Sequence, residues 1–337
     1  MKNLIRTILI VITVIINSCG EGITEPQPGR RDYVWTRDTL RADEFGFQFL
    51  SGIWGSSPSD LWVVGDAATY KNKVWHYDGS KWSNYLLDQF ATPIGIWGIS
   101  SSEIWMVTTI SDIWKYDGTK WFKDTTIVPE GYQRILFEDI YGYENNMYAV
   151  GIAEKADGDY TGIIVHYTAG KWKILNTPQI KEYFVSVMFL RNFFSSSQVI
   201  ITARNFFDLD EPCRLYKLKD EKLTLISNSK MYFHIGILNN RLYVDTNSKV
   251  YEYSSGGLNE VLDLTGTNYA GSLWGRTIKD FFTANYGWNL GHYNGKDLVN
   301  IYTANGNIIA GQIFDRDVFF ICHTLDNVDY ILHGKLK

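Results

Sequence analysis

The chain has 337 residues, with 32 basic against 37 acidic side chains and a formal net charge of −5. Size alone would allow two domains, whereas a mildly acidic chain without a basic run argues against nucleic acid and anionic lipid as partners. Aromatic residues are plentiful, with 12 Trp, 22 Tyr and 18 Phe, and their spacing along the chain carries the fold.

Residues 1–19 read as an export leader. Lys2 and Arg6 make a basic start, Leu4–Ile16 is nearly all aliphatic, and Asn17-Ser18-Cys19 follows at once. The apolar run is too short to span a bilayer comfortably. A cysteine directly behind it, preceded by small Ser18, resembles the lipobox of bacterial lipoproteins, in which the cysteine becomes the acylated first residue. Ile16 and Asn17 depart from the Leu and the Ala or Ser that this pattern prefers. The resemblance implies lipidation at Cys19 and attachment to a membrane through an N-terminal lipid anchor. Residues 20–31 contain Gly20, Gly22, Pro26, Pro28 and Gly29 and little that could build a core, so they read as a flexible tether.

From residue 32 onward the chain repeats itself. Gly-Ile-Trp-Gly, then an acid, an apolar residue and Trp, then an apolar-x-His-Tyr-Asp-Gly-x-x-Trp hairpin, runs from Gly52 to Trp82 and recurs from Gly95 to Trp121, with Lys115 in the histidine slot. Blade-like copies follow with increasing decay. Blade three has Ile140-Tyr141-Gly142, Val165-His166-Tyr167 and Trp172, and blade four, the poorest, runs from about Val185 to Leu223. Blade five has Arg241-Leu242-Tyr243-Val244, blade six restores Leu273-Trp274-Gly275 and His292-Tyr293-Asn294-Gly295, and blade seven ends at His333-Gly334 without an outer strand. A repeat of roughly 40–45 residues with four short aromatic strands is the pattern of a β-propeller. The fragment Trp35-Thr36-Arg37-Asp38-Thr39 copies only the tail of the motif, Trp121-Phe122-Lys123-Asp124-Thr125. It predicts that an N-terminal strand, Tyr33–Leu40, completes the C-terminal blade. The expectation is an all-β, seven-bladed propeller of four-stranded antiparallel blades over residues 32–337, closed by both chain ends.

The recurring residues suggest structural duties. The Trp or Tyr before glycine is expected to fill the wedge between sheets, with the glycine permitting a tight turn. Asp60, Glu103, Asn146 and Asp317 are expected to bond local backbone amides. Asp78-Gly79, Asp117-Gly118 and Asn294-Gly295 predict two-residue hairpins. His76, His166, His292 and His333 share one slot, read as half-exposed and too scattered around the ring to bind metal. Cys213 and Cys322 fall in non-neighbouring blades, so no disulfide is expected.

No Gly-rich phosphate loop, metalloprotease helix, nucleophile elbow or paired CxxC is present, and no cofactor, metal or catalytic residue is assigned. Variation between blades points instead to the loops joining second to third strands, which differ in length. They and their surroundings carry the candidate ligand-binding aromatics Tyr70, Tyr160, Phe206, Phe207, Tyr286 and Trp288, near Asp157, Asp159, Asp208, Asp210 and Glu211. Aromatic faces beside carboxylates suit a sugar or a protein hot spot.

The repeat motif resembles those of lipid-anchored or secreted Trp-rich propellers of Bacteroidetes and myxobacteria, and is loosely similar to tectonin-type propellers. The resemblance implies a bacterial cell-envelope location, at the outer membrane or cell surface. The favoured expectation is a monomeric, non-catalytic envelope lipoprotein binding a glycan or an envelope protein through its variable loop face. The alternatives are a carbohydrate-active enzyme of glycosidase or lyase type, with its site at the central pocket, and a structural envelope scaffold.

Overall fold

The computed structural model describes residues 28–337, apart from 42–45, 177–179, 191–197, 206–207, 209 and 255–256, and describes Tyr70 and Leu190 by their backbone alone. Cys19, the leader, most of the tether, Phe206 and Phe207 therefore lie outside the described residues.

Seven four-stranded sheets are present, and six of them use four consecutive strands. The seventh is built from residues 306–336 and from Tyr33–Thr39, which pairs antiparallel with Asp329–Leu336 in the register Tyr33↔Leu336 to Thr39↔Tyr330. The chain is thus a seven-bladed β-propeller closed by its N-terminal strand. The seam is reinforced on both sides. Tyr33 packs edge-on against Phe282 of blade six, Lys337 donates its backbone N–H to the Asp32 carbonyl, and buried Asp329 of blade seven accepts the backbone N–H of Leu50 in blade one at 2.9 Å.

Every blade is apolar on both faces, and the described residues form seven apolar cores, each shared by two adjacent blades. Between blades one and two, Trp54, Trp62 and Val64 meet Ile104, Met106, Trp114 and Trp121. A buried side chain of this size contributes on the order of 2–3 kcal/mol, and no single core holds the molecule together. Cys213 and Cys322 are free and buried, in blades four and seven.

Several duties expected of the repeat residues change. Gly55, Gly98, Gly142 and Gly275 lie within strands and serve close packing, not tight turns. A Cβ on Gly98 would sit 2.7 Å from the Trp54 ring of the preceding blade, and one on Gly55 would sit 3.1 Å from Phe314. Likewise the Trp97 ring lies 4.0 Å from Tyr141 in the next blade, tilted by 33°, and donates its indole N–H to the Gly142 carbonyl. Trp54 and Trp97 thus each rest on the bare backbone of a glycine in the following blade.

The polar residues at the strand-one to strand-two turn bind the third strand of their own blade. Asp60 meets His76 at 2.8 Å, Glu103 meets Lys115 at 3.0 Å, Asn146 meets His166 at 2.5 Å, Asp280 meets His292 at 2.8 Å and Asp317 meets His333 at 2.8 Å. Blade five reverses the charges, with Arg241 on the second strand and Glu252 on the third. The histidine slot is accordingly less exposed than its sequence suggests, and His292 is fully buried. Burial lowers the His292 pKa despite the opposing pull of Asp280. Among the described residues no group of three metal-ligating side chains forms.

The Asp-Gly hairpins are longer than two residues. Asp78 to Lys81 separate strands ending at Tyr77 and starting at Trp82, and the Asp78 carboxylate accepts the backbone N–H groups of Ser80 and Lys81. These bonds, Lys81 first, hold Asp78 at about 2, and Asp117 and Asn294 make the same turn. The aspartate stands in for a second backbone turn, so two more residues fit.

Candidate functional site: the loop face and axial cavity

Because strands alternate in direction, the connections from second to third strand and from one blade to the next emerge on one face. Most of the exposed large apolar side chains collect there: Phe47, Leu86, Phe90, Val128, Met231 and Tyr232 between blades, and Tyr286, Trp288 and Leu325 between second and third strands. The others are mainly outer-strand residues such as Val34 and Ile174.

The sequence-selected aromatics separate on this face. Tyr286 and Trp288 are 63% and 45% exposed, at a tight turn where Trp288 takes φ 58°. Tyr160 instead turns toward blade four, with its hydroxyl donating to Asn205 at 3.3 Å and its ring 5.2 Å from Tyr183. Tyr70 falls in the 3-10 turn Tyr70–Asn72, and Phe206 and Phe207 fall outside the described residues. Tyr160 and the Tyr286–Trp288 pair lie three blades apart and do not form one patch. Among the acids, Asp159 is held by Lys181 and Lys155, which lower it to about 2.

At the centre the seven innermost strands enclose a cavity of about 610 Å³. Blades one, two, three, four and seven each carry a bulge at the same level, marked by register shifts at Leu50/Gly52, Pro93/Gly95, Phe137/Asp139, Phe184/Ser186 and Ile308/Ala310. The extra residue is left out of the ladder and lines the cavity as Ser51, Ile94, Glu138, Val185 or Ile309. Only blade three places a charge there. Neighbouring Asp139 is committed at both oxygens, to the Ile140 N–H on one and to the Ser186 hydroxyl and Val187 N–H of blade four on the other. Burial pushes Glu138 up to about 7 and Asp139 to about 6, Arg204 pulling the former down only in part.

Sequence reading missed Glu138 and the inter-blade apolar residues. The signal for Glu138 was present: aligning Phe137-Glu138-Asp139-Ile140-Tyr141-Gly142 under Leu50-Ser51-Gly52-Ile53-Trp54-Gly55 puts a carboxylate at a small or aliphatic position. The inter-blade loops share no motif, so nothing in the repeat pointed to them.

An all-β ring with exposed apolar residues on its loop face and a cavity of mixed polarity at its axis defines the class: a closed seven-bladed β-propeller. No protein-family model matches the chain, and no curated protein matches it in sequence. Its similarity is to solved propellers. YCF48 bound to D1 peptide is 13% identical with a TM-score of 0.63, covering 93% of this chain and 100% of that one. YCF48 from Cyanidioschyzon merolae is 14% identical with a TM-score of 0.59, covering 89% and 98%. BBS1N in complex with ARL6DN is 14% identical with a TM-score of 0.57, covering 91% and 98%. At such identities the likeness is one of fold.

Proposed function

We propose that this propeller is a non-catalytic docking module that holds a protein partner against its loop face, and that lipidation at Cys19 tethers it to a bacterial cell envelope. The concentration of exposed apolar residues on that one face carries the docking reading. Tyr286 and Trp288 supply rigid rings of the kind that anchor interfaces. Two of the solved propellers it resembles are bound to a protein or peptide, which supports a polypeptide ligand over a glycan.

The glycosidase form of the carbohydrate-active alternative calls for two carboxyl groups facing each other across a bound sugar. Glu138 and Asp139 are successive residues of one strand, and Asp139 is spent on inter-blade bonds. The axis therefore favours binding over that chemistry.

The test is a screen of envelope proteins and glycans against the full chain, repeated with Trp288→Ala and with Leu86→Asp combined with Phe90→Asp. A protein ligand lost on at least one of these changes is expected. Binding untouched by all of them would move the site off the loop face, and a glycan ligand would replace the protein reading. For the anchor, Cys19→Ala should shift the protein from the membrane to the soluble fraction. Retention of detergent-dependent behaviour would overturn acylation.

A further inference from the structure

We propose that the axial cavity receives one cationic side chain, the lysine or arginine of a protein segment lying on the loop face, with the Glu138 carboxylate as its counter-charge. This inference rests on the docking reading above and adds the chemistry of what is docked.

Glu138 and Asp139 are the acids of the cavity wall. Asp139 is largely committed, since three donors already occupy its two oxygens. No hydrogen-bond donor among the described residues reaches the Glu138 carboxylate, on which Arg204 acts only through space. His234 also lines the cavity, but its Nδ1 is bound to Asp245 at 2.9 Å. Arg204 lies outside the cavity wall and, of the two acids, acts on Glu138 alone, so the wall itself offers that carboxylate no bonded cation.

A half-buried carboxylate without donors is costly unless it serves something. Other blades show that the fold does not require it, because Ser51, Ile94, Val185 and Ile309 hold the same bulge position. Burial pushes Glu138 up to about 7, so the ionised form is poorly compensated until a cation arrives.

The shape of the cavity fits the same ligand. Its wall is otherwise of mixed polarity, with Ile96, Ile140, Trp97, Tyr141 and Trp274 supplying aliphatic and aromatic surface. Lysine and arginine carry apolar stems that bury well along such surfaces while the head reaches a charge, and ring faces attract the cation further. The volume of about 610 Å³ accepts one long side chain together with water. Entry from the loop face places the rest of the segment on the exposed apolar residues already described.

The experiment pans a random dodecapeptide phage library against the immobilised full-length protein. Selected peptides are resynthesised with each basic residue replaced by norleucine, and titrated against wild type, Glu138→Gln and Val185→Lys. The last variant supplies a cation internally from the neighbouring blade. The expected result is a shared Lys or Arg position whose norleucine replacement and E138Q each weaken binding about tenfold or more. The two changes together should cost little beyond either alone, and Val185→Lys should abolish the basic preference. Selected peptides with no shared basic position overturn the cavity proposal and leave docking intact. So does equal affinity for folded E138Q, combined with loss on Leu86→Asp and Phe90→Asp. A wild-type protein that enriches no peptide overturns the docking of an extended segment, and the cavity proposal falls with it.

Discussion

Glu138 owes its place to one extra residue in a strand, and its charge makes the stability of the molecule depend on pH. The folded protein holds the Glu138 proton to about 7, whereas an exposed glutamate releases it near 4.5. The group therefore stabilises the fold below pH about 4.5 and loses that contribution as pH rises through about 7. Asp139, raised to about 6, adds a loss of the same sign at lower pH. Glu138→Gln should shrink the fall in unfolding free energy between pH 5 and pH 8 by about 1–2 kcal/mol, measured by denaturant titration at both values. An unchanged pH difference would show that the carboxyl is solvated. Asp329 is the stronger structural acid, since it is buried and accepts both the Leu50 N–H and His323 at 2.6 Å. Asp329→Ala strands the Leu50 N–H between blades seven and one and should cost about 2–4 kcal/mol. Calorimetry of that variant beside Asp329→Asn, which keeps an acceptor, separates the lost bond from the lost charge.

At the scale of the strand, the repeat unit is a device for placing a wedge aromatic on a neighbouring glycine. Gly98 lies under the Trp54 ring at a distance that leaves no room for a methyl group. Gly98→Ala should destabilise by about 1–3 kcal/mol through overpacking. In a Trp54→Ala background the same substitution should cost distinctly less, because the two changes share one contact. Additive costs in that cycle would place the strain in the backbone instead. The acid-to-third-strand clasp works at the same scale. It fixes the second strand to the third at one end, and it survives a change of His to Lys or a reversal of both charges because only complementarity is needed.

For the whole molecule, closure depends on a strand that is first in sequence and last in its sheet. Tyr33–Thr39 contributes Tyr33 and Trp35 to the core between blades six and seven, and its removal exposes the edge of Asp329–Leu336. Deleting it should lower the melting temperature by about 10 °C or more. Moving it behind Lys337 should restore most of that loss, since Tyr33 already pairs with Leu336 and a short hairpin suffices. Failure of the transplanted strand to restore the melt would mean that the link from Thr39 into blade one matters more than the pairing.

The sequence by itself determined the period, the number of blades and the way the ring closes, because each of these is written in local strand and turn chemistry repeated seven times. The orphan tail at Trp35 was enough to assign the seam. Only the tertiary structure decided what the repeated residues touch. Gly98 and Gly55 answer to rings in the preceding blade, Asp60 and its equivalents answer to the third strand, and Tyr160 leans on blade four. These contacts join positions far apart in the chain, and a repeat pattern records spacing without recording facing. The same holds for Glu138, an unremarkable residue in a strand until six other strands close around it and make its position the axis.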